Sequence, residues 1–142
     1  MAEGVLRFEL LQLGLQDKVR VDSAGTHASQ PGRRVDSRAS KLCSSKGVEL
    51  GKLRARQVRP GDFERFDLIY AMDRSNLDWL LENSPANYCE KISMIGSLVP
   101  ENSAMDVPDP YYGAIDGFER VFELLEGPID GLISNLVDTL GD

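Results

Sequence analysis

The feature that most constrains the fold of this chain is an alternation of short apolar runs with longer segments at helical spacing. Residues Asp67–Ala71 (DLIYA) and Lys91–Ile95 have the apolar character of buried strands, and Val19–Asp22 is predicted as a short alternating strand. Between the two apolar runs, Asp73 or Arg74 is suited to open a helix. Strands that alternate with helices predict a parallel sheet covered by helices on both faces.

Three further helices are predicted from apolar spacing and capping residues. Ala2–Leu15 carries a broad apolar face at helical spacing, which we expect to be largely buried. Asp36 is a suitable N-cap for a helix that runs to about Lys46. The last helix is predicted from about Asp116 to Leu140, with a break or a new start at Gly127–Pro128.

Length and composition limit the possible classes of protein. The 142 residues are 42% hydrophobic and 27% charged, without repeats or a long polar linker, so we expect one globular domain over residues 1–142. No run is long enough to span a membrane and no secretory signal is recognisable, so a cytoplasmic location is expected. The chain has one histidine, His27, and two cysteines, Cys43 and Cys89, too few for a dedicated metal site, and no cofactor is expected.

The charges are distributed unevenly along the chain. The net charge of −7 argues against nucleic acid or a membrane as the main partner. Arg33–Arg59 nevertheless holds nine basic and two acidic residues, and Glu101–Asp142 holds ten acidic residues and one basic residue. The simplest explanation of such charge runs is solvated helix faces.

Several motifs stand in a distinctive order and spacing along the chain. They are MAEGVLR, VDSAGT, DSRA (36–39), RARQV (54–58), FDLIYAMDRSN (66–76) and VPDPYYG (107–113). Together they resemble the low-molecular-weight protein tyrosine phosphatase family in its bacterial type. The similarity extends from Met1 to about Leu140, and its most specific element is DPYYG after the end of an AMDxxN strand. The resemblance implies an α/β fold, a three-layer αβα sandwich around a parallel sheet with strand order 2-1-3-4.

The resemblance also implies site residues. In the family, a cysteine thiolate in a C-x5-R-S loop attacks phosphorus, and an aspartate protonates the leaving phenolate. Asp109 matches that aspartate, and a proline-bracketed turn beside two tyrosines could partly desolvate its carboxyl group. Tyr111 and Tyr112 match one wall of the substrate cleft, and Ser29 stands where many members carry an aromatic residue in the other wall. The alternative for D-P-Y-Y-G is a plain surface turn.

The nucleophile loop has no counterpart in these 142 residues. The family's loop immediately precedes S-P-M-A-E-G, and this sequence begins at that methionine. Six positions after Cys43 stands Glu49, and six after Cys89 stands Ile95, so neither cysteine begins a C-x5-R motif. The resemblance therefore implies an N-terminally truncated domain that is inactive as given. It would act on a phosphotyrosine protein or a small aryl phosphate if the phosphate loop were supplied.

Two alternatives to a shortened phosphatase remain. One is a pseudo-phosphatase that acts as a binding or regulatory module, and the other, an arsenate reductase, would also need a cysteine in the missing loop. By the same resemblance the central first strand of the sheet is absent. Val19–Asp22 and Asp67–Ala71 would then pair directly, border an open slot, or leave a poorly folded chain.

Overall fold

A computed structural model describes residues 1–28, 30–100, 106–109 and 115–140. Helices surround a short parallel sheet, and two 3₁₀ helices flank its second strand. In chain order the elements are α1 (Ala2–Gln12), α2 (Ser37–Ser45), α3 (Pro60–Arg65), β1 (Ile69–Ala71), α4 (Arg74–Asn83), the first 3₁₀ helix (Ala86–Lys91), β2 (Ile92–Met94), the second 3₁₀ helix (Ile95–Leu98) and α5 (Ile115–Leu140).

The two strands are parallel neighbours, as predicted, although each is shorter than its apolar run. The pairing places Ile69 opposite Ile92 and Ala71 opposite Met94. Side chains alternate across the sheet: Ile69 and Ala71 contact an apolar cluster with α3 and α4, and Tyr70 contacts the cluster formed with α1, α2 and α5. The predicted α/β class and helix layers on both faces of a parallel sheet are therefore confirmed.

The predicted strand at Val19–Asp22 is wrong. No described residue pairs with this segment in a sheet, and a strand without a partner leaves its backbone groups unsatisfied. Side chains hold the segment instead: Arg7 Nη2 donates to the Val21 carbonyl oxygen at 2.6 Å, and Asp22 forms an ion pair with Arg56 at 3.2 Å. A groove of about 780 Å³ lies between the segment and α1. Direct pairing with β1, one of the expected outcomes, is likewise not observed among the described residues.

Helix α1 is shorter than predicted, and its apolar face is only partly covered. Gly14 has φ of 71°, a conformation that suits glycine and ends the helix. The backbone N–H of Leu15 donates to the Leu10 carbonyl oxygen at 2.9 Å, which closes the turn. Leu10 is buried, but Leu11 and Leu13 are 57% and 50% exposed. The expectation of a largely buried face therefore fails at the end of α1.

Helix α2 follows its sequence signals. The Asp36 carboxylate accepts from the Arg38 backbone N–H at 2.8 Å, which caps the helix as predicted. Hydrogen bonds from the Arg38 side chain lower the pKa of this carboxyl group. The helix ends before Gly47, whose φ is 84°.

The predicted break in α5 is wrong, because the helix continues from Ile115 to Leu140 through Pro128. A proline inside a helix removes a backbone hydrogen bond, so packing must stabilise this region. Pro128 is fully buried, and α5 packs closely against the second 3₁₀ helix. No helix in the described parts of the chain is long and apolar enough to cross a membrane. The buried apolar side chains of α5 are Phe118, Val121, Phe122, Leu125, Ile129 and Leu132.

Candidate active site

The candidate site lies at the carboxyl edge of the sheet, where β1 passes into α4. Asp73 caps α4, since its carboxylate accepts from the Asn76 backbone N–H at 2.7 Å. In open parallel sheets, ligands bind beyond the carboxyl ends of the strands. The candidate site therefore comprises the residues around this edge.

The segment that carries Asp109 is anchored at this edge by two hydrogen bonds. The backbone N–H of Val107 donates to the Met72 carbonyl oxygen at 2.7 Å, and Val107 is buried. The Asp106 carboxylate accepts from the Arg74 backbone N–H at 3.1 Å. Residue Asp109 is thus held two positions from an anchored residue, at the end of β1.

The carboxyl group of Asp109 is not desolvated as the sequence suggested. Asp109 and the preceding Pro108 are exposed, whereas Val107 is buried. Tyr111 and Tyr112, which were expected to shield the aspartate, lie outside the described residues. The exposed position leaves the carboxyl group accessible to a substrate from solvent.

A second loop is held to the same edge by three polar side chains. Thr26 is buried, and its Oγ1 accepts from Asn76 Nδ2 at 2.9 Å. Gln57 Nε2 donates to the Thr26 carbonyl oxygen at 2.6 Å, and Gln57 Oε1 accepts from the Ala28 backbone N–H at 2.8 Å. These bonds fix the loop immediately before Ser29, which itself lies outside the described residues.

The structure thus places only part of the predicted site. Asp109 is located at the carboxyl edge, and positions of Ser29, Tyr111 and Tyr112 stay predictions. Sequence reasoning overlooked the polar network of Thr26, Gln57 and Asn76. Its signal was present, because each of these residues lies inside one of the recognised motifs: VDSAGT, RARQV and FDLIYAMDRSN.

Beside Gln57, Arg56 connects three segments of the chain through ion pairs. Its guanidinium contacts the Asp62 carboxylate at 2.9 and 3.2 Å and Asp22 at 3.2 Å. Burial would raise the pKa of Asp62, but hydrogen bonds from Arg56 and from the Arg59 backbone N–H outweigh it and lower the pKa. The hydrogen bonds from Arg56 to Asp62 raise the pKa of Arg56. This cluster links the loop of Asp22 to the segment between Arg56 and α3.

Neither cysteine is placed as a nucleophile at the carboxyl edge. Cys43 is fully buried in the core between α2 and α5, and burial raises the pKa of its thiol. Cys89 lies in the first 3₁₀ helix, before β2 begins, so it is at the amino end of the strands. A reactive cysteine needs a lowered pKa and access to the substrate. Within the described ranges, no group of three or more His, Cys, Asp or Glu side chains could hold a metal ion.

Comparisons with known proteins agree with this α/β fold. Residues 1–140 match the family model of the low molecular weight phosphotyrosine protein phosphatases. The chain is 36% identical over 137 residues to the low molecular weight protein-tyrosine-phosphatase of Streptomyces coelicolor, covering 94% of this chain and 83% of the relative. The human low molecular weight phosphotyrosine protein phosphatase is 34% identical over 125 residues, which is 87% of this chain and 78% of that protein.

A solved structure gives the same result at the level of the fold. The protein tyrosine phosphatase of Entamoeba histolytica, crystallised with Hepes in the active site, superposes with a TM-score of 0.90 and 36% identity. The match covers 97% of this chain and 88% of that chain. The family model, the relatives and the shared α/β fold place the chain in the class of the protein tyrosine phosphatases. The chain belongs to the low molecular weight phosphotyrosine protein phosphatase family.

Proposed function

We propose that this chain is the scaffold of a phosphatase for phosphotyrosine esters, in which Asp109 is the general acid. In this reaction a thiolate attacks phosphorus, the bond to the phenolic oxygen breaks, and a carboxylic acid protonates the leaving oxygen. The same carboxylate then removes a proton from the water that hydrolyses the cysteinyl phosphate. Membership of the family supports the assignment of this reaction.

The observation that carries the proposal is the hydrogen bond from the Val107 N–H to the Met72 carbonyl oxygen. It attaches the segment of Asp109 to the end of β1, where a parallel sheet binds ligands. A general acid must lie within hydrogen-bond distance of the leaving oxygen, so its backbone has to be fixed to the substrate platform. The bond between Asp106 and the Arg74 N–H restrains the same segment from a second side.

The proposed substrate-binding residues are Tyr111, Tyr112 and Ser29. The two tyrosines directly follow the anchored segment, and Ser29 follows the loop that Gln57 fixes through Ala28. An aromatic phosphoester would lie between these two walls, because tyrosine rings stack favourably on a phenyl ring. The proposed partners are therefore phosphotyrosine proteins or small aryl phosphates, and not nucleic acids or membranes.

We further propose that the 142 residues do not catalyse phosphoryl transfer by themselves. The sequence contains no C-x5-R motif, and the burial of Cys43 and the position of Cys89 argue against either as the nucleophile. Asp109 can donate a proton but cannot attack phosphorus, so the scaffold needs a phosphate-binding loop. A second candidate function is a pseudo-phosphatase that binds partners without catalysis.

The proposed domain comprises residues 1–142, and the proposed location is the cytoplasm. Cys43 and Cys89 are both free thiols, a state that a reducing compartment maintains.

The proposal is tested with para-nitrophenyl phosphate, first on the chain alone and then on a chain extended by a strand and a C-x5-R-S loop. We expect no hydrolysis above background by the chain alone. The extended chain should hydrolyse the substrate, and Asp109→Asn should slow it by roughly 10²- to 10⁴-fold, the usual contribution of general acid catalysis. The effect should shrink for leaving groups that need no proton.

Asp78→Asn provides the matched control, because Asp78 is an exposed carboxylate on α4. It should leave the rate of the extended chain unchanged. Turnover by the unextended chain within tenfold of a complete homologue, lost on Cys43→Ser or Cys89→Ser, would contradict the proposal. An Asp109→Asn rate equal to that of the parent for poor leaving groups would refute the role of Asp109. An extended chain that folds but stays inactive would favour the pseudo-phosphatase.

A further inference from the structure

Two arginines face each other directly where the chain segments around residues 33 and 55 meet. Arg34 and Arg54 are partners in an isolated antiparallel bridge. Two backbone hydrogen bonds hold the segments together: Gly32 N–H donates to the Ala55 carbonyl oxygen at 2.7 Å, and Ala55 N–H donates to the Arg33 carbonyl oxygen at 2.9 Å. Residues directly opposite in such a bridge have Cβ atoms about 5 Å apart on the same face. The backbone therefore places the two arginine side chains next to each other on one face.

This arrangement costs free energy in the isolated molecule, because like charges directly opposite each other repel. Arg34 and Arg54 are both exposed, and Lys52, two residues before Arg54, adds a third exposed cation. Arg54 Nη1 donates to the carbonyl oxygens of Gly51 and Leu53, each at 2.9 Å. Among the described residues, no carboxylate forms an ion pair with either arginine.

Neighbouring arginines of the same basic segment are paired with acids. Arg38 pairs with Asp36 at 2.9 Å, and Arg56 pairs with Asp62 and Asp22. Described carboxylates near this segment thus pair with Arg38 and Arg56, whereas none of them pairs with the two arginines of the bridge. An external anion would relieve the repulsion that the fold imposes there.

We propose that Arg34 and Arg54 form a docking surface for an acidic segment of a partner protein. A guanidinium group matches a carboxylate with two parallel hydrogen bonds, which favours aspartate and glutamate side chains as ligands. Alternate residues of an extended peptide lie about 6.6 Å apart on one face, within reach of two long arginine side chains. The net charge of −7 opposes long polyanions and anionic membranes, whereas a short acidic segment engages only the local cations.

The docking surface is continuous with the candidate active site along the chain. Gln30 Oε1 accepts from Arg33 Nη1 at 2.9 Å, and Gln30 follows the loop that Thr26 and Gln57 hold at the carboxyl edge. The proposal concerns binding and does not depend on catalysis.

The test measures binding of a fluorescein-labelled peptide of alternating Glu and Ser to the complete 142-residue chain by fluorescence anisotropy. We expect measurable affinity in about 0.05 M salt that falls when salt is raised to about 0.2 M. The double variant R34A/R54A should weaken binding roughly three- to tenfold, since exposed ion pairs contribute modestly. A peptide of alternating Gln and Ser should not bind.

The double variant K18A/R120A is the matched control, because it removes two exposed cations elsewhere and changes the net charge equally. It should bind the acidic peptide like the parent chain. Circular dichroism verifies folding, and the single variants Arg34→Gln and Arg54→Gln replace the double variant if it unfolds. Equal weakening by both double variants would overturn the proposal. So would tighter binding of an oligonucleotide or of phosphatidylserine vesicles through the same arginines, or a self-association that R34A/R54A abolishes.

Discussion

Arg56 illustrates how a single side chain organises the loops of this molecule. Its guanidinium bonds both oxygens of the Asp62 carboxylate, six residues later, and also contacts Asp22, which lies far away in sequence. Its Nε atom is buried and has no hydrogen-bond partner among the described residues. Such an orphaned donor reduces the net gain of the cluster. The pairing with Asp62 nevertheless has to stay intact, because breaking it would leave a partly buried charge unpaired.

We predict that Asp62→Asn lowers the free energy of unfolding near neutral pH by about 1–3 kcal/mol, the usual range for hydrogen bonds to charged groups. The pKa of Asp62 is lowered in the folded state, so its contribution is present above the unfolded pKa of about 3.9. That contribution is lost as pH falls through the folded pKa. Urea unfolding of both proteins at neutral pH and at about pH 3 should therefore give a difference that narrows in acid.

Asp78→Asn is again the control, here for stability. The Asp78–Arg74 ion pair is 3.9 Å long with both side chains mostly exposed, and such pairs contribute little. Its unfolding free energy should be close to that of the parent at both pH values. The unfolding free energies of Asp62→Asn and the parent could instead differ by the same amount at neutral and at acid pH. That result would argue against the ion pair as the cause of the difference.

At the scale of elements, the sequence predicts helix and strand positions well where local residues determine them. Asp36 and Asp73 cap the helices that they were expected to cap, and the two apolar runs form the parallel strands. Two predictions that depend on distant contacts were wrong. The proline in α5 was expected to interrupt it, but burial against the second 3₁₀ helix overrides the local preference, and Val19–Asp22 lacks the neighbour that a strand requires.

Replacing a glycine by alanine is expected to change the stability of the protein in opposite directions at two positions. The difference arises from the close contact between α5 and the second 3₁₀ helix. A Cβ atom at Gly131 would lie 2.6 Å from the Leu98 carbonyl oxygen, whereas at Gly61 in α3 it would meet nothing within 4 Å. Gly131→Ala should destabilise the protein by about 1–3 kcal/mol through overpacking, despite the better helix propensity of alanine. Gly61→Ala should stabilise it by up to about 1 kcal/mol.

Denaturant midpoints of the two variants measure this difference. Because the two substitutions are chemically identical, the comparison separates the close backbone contact from helix propensity. Stabilisation by Gly131→Ala similar to that by Gly61→Ala would mean that the second 3₁₀ helix moves away at little cost.

The candidate site shows the same division between local and distant information. Asp109 was predicted because a short motif identifies it. The network of Thr26, Gln57 and Asn76 joins residues up to fifty positions apart. The motifs contain these residues, but no local pattern shows that their side chains bond to each other. The exposure of Asp109 likewise depends on how its segment packs at the end of β1. The residues of the turn alone do not determine that packing.

At the scale of the whole molecule, segments near the sheet differ in how their backbones are restrained. The described sheet contains two strands, and Leu68, just before β1, is 51% exposed. We predict faster amide hydrogen exchange at Val19–Val21 than at Ile92–Met94, because side chains alone restrain the first segment. Mass spectrometry of peptides from a native-state exchange series measures this. Equal protection of the two segments would show that residues 19–21 acquire stable backbone partners in solution.

The C-terminal end of helix α5 offers a position for a spectroscopic label. Its last large buried side chain is Leu132, and Val137 is 39% exposed. The seven residues after Ile133 extend the helix by roughly 10 Å. A fluorophore or spin label attached at Thr139 would lie on this exposed end of the helix. Its signal would report the tumbling of the entire body, so binding of a partner could be followed without a label near the docking surface.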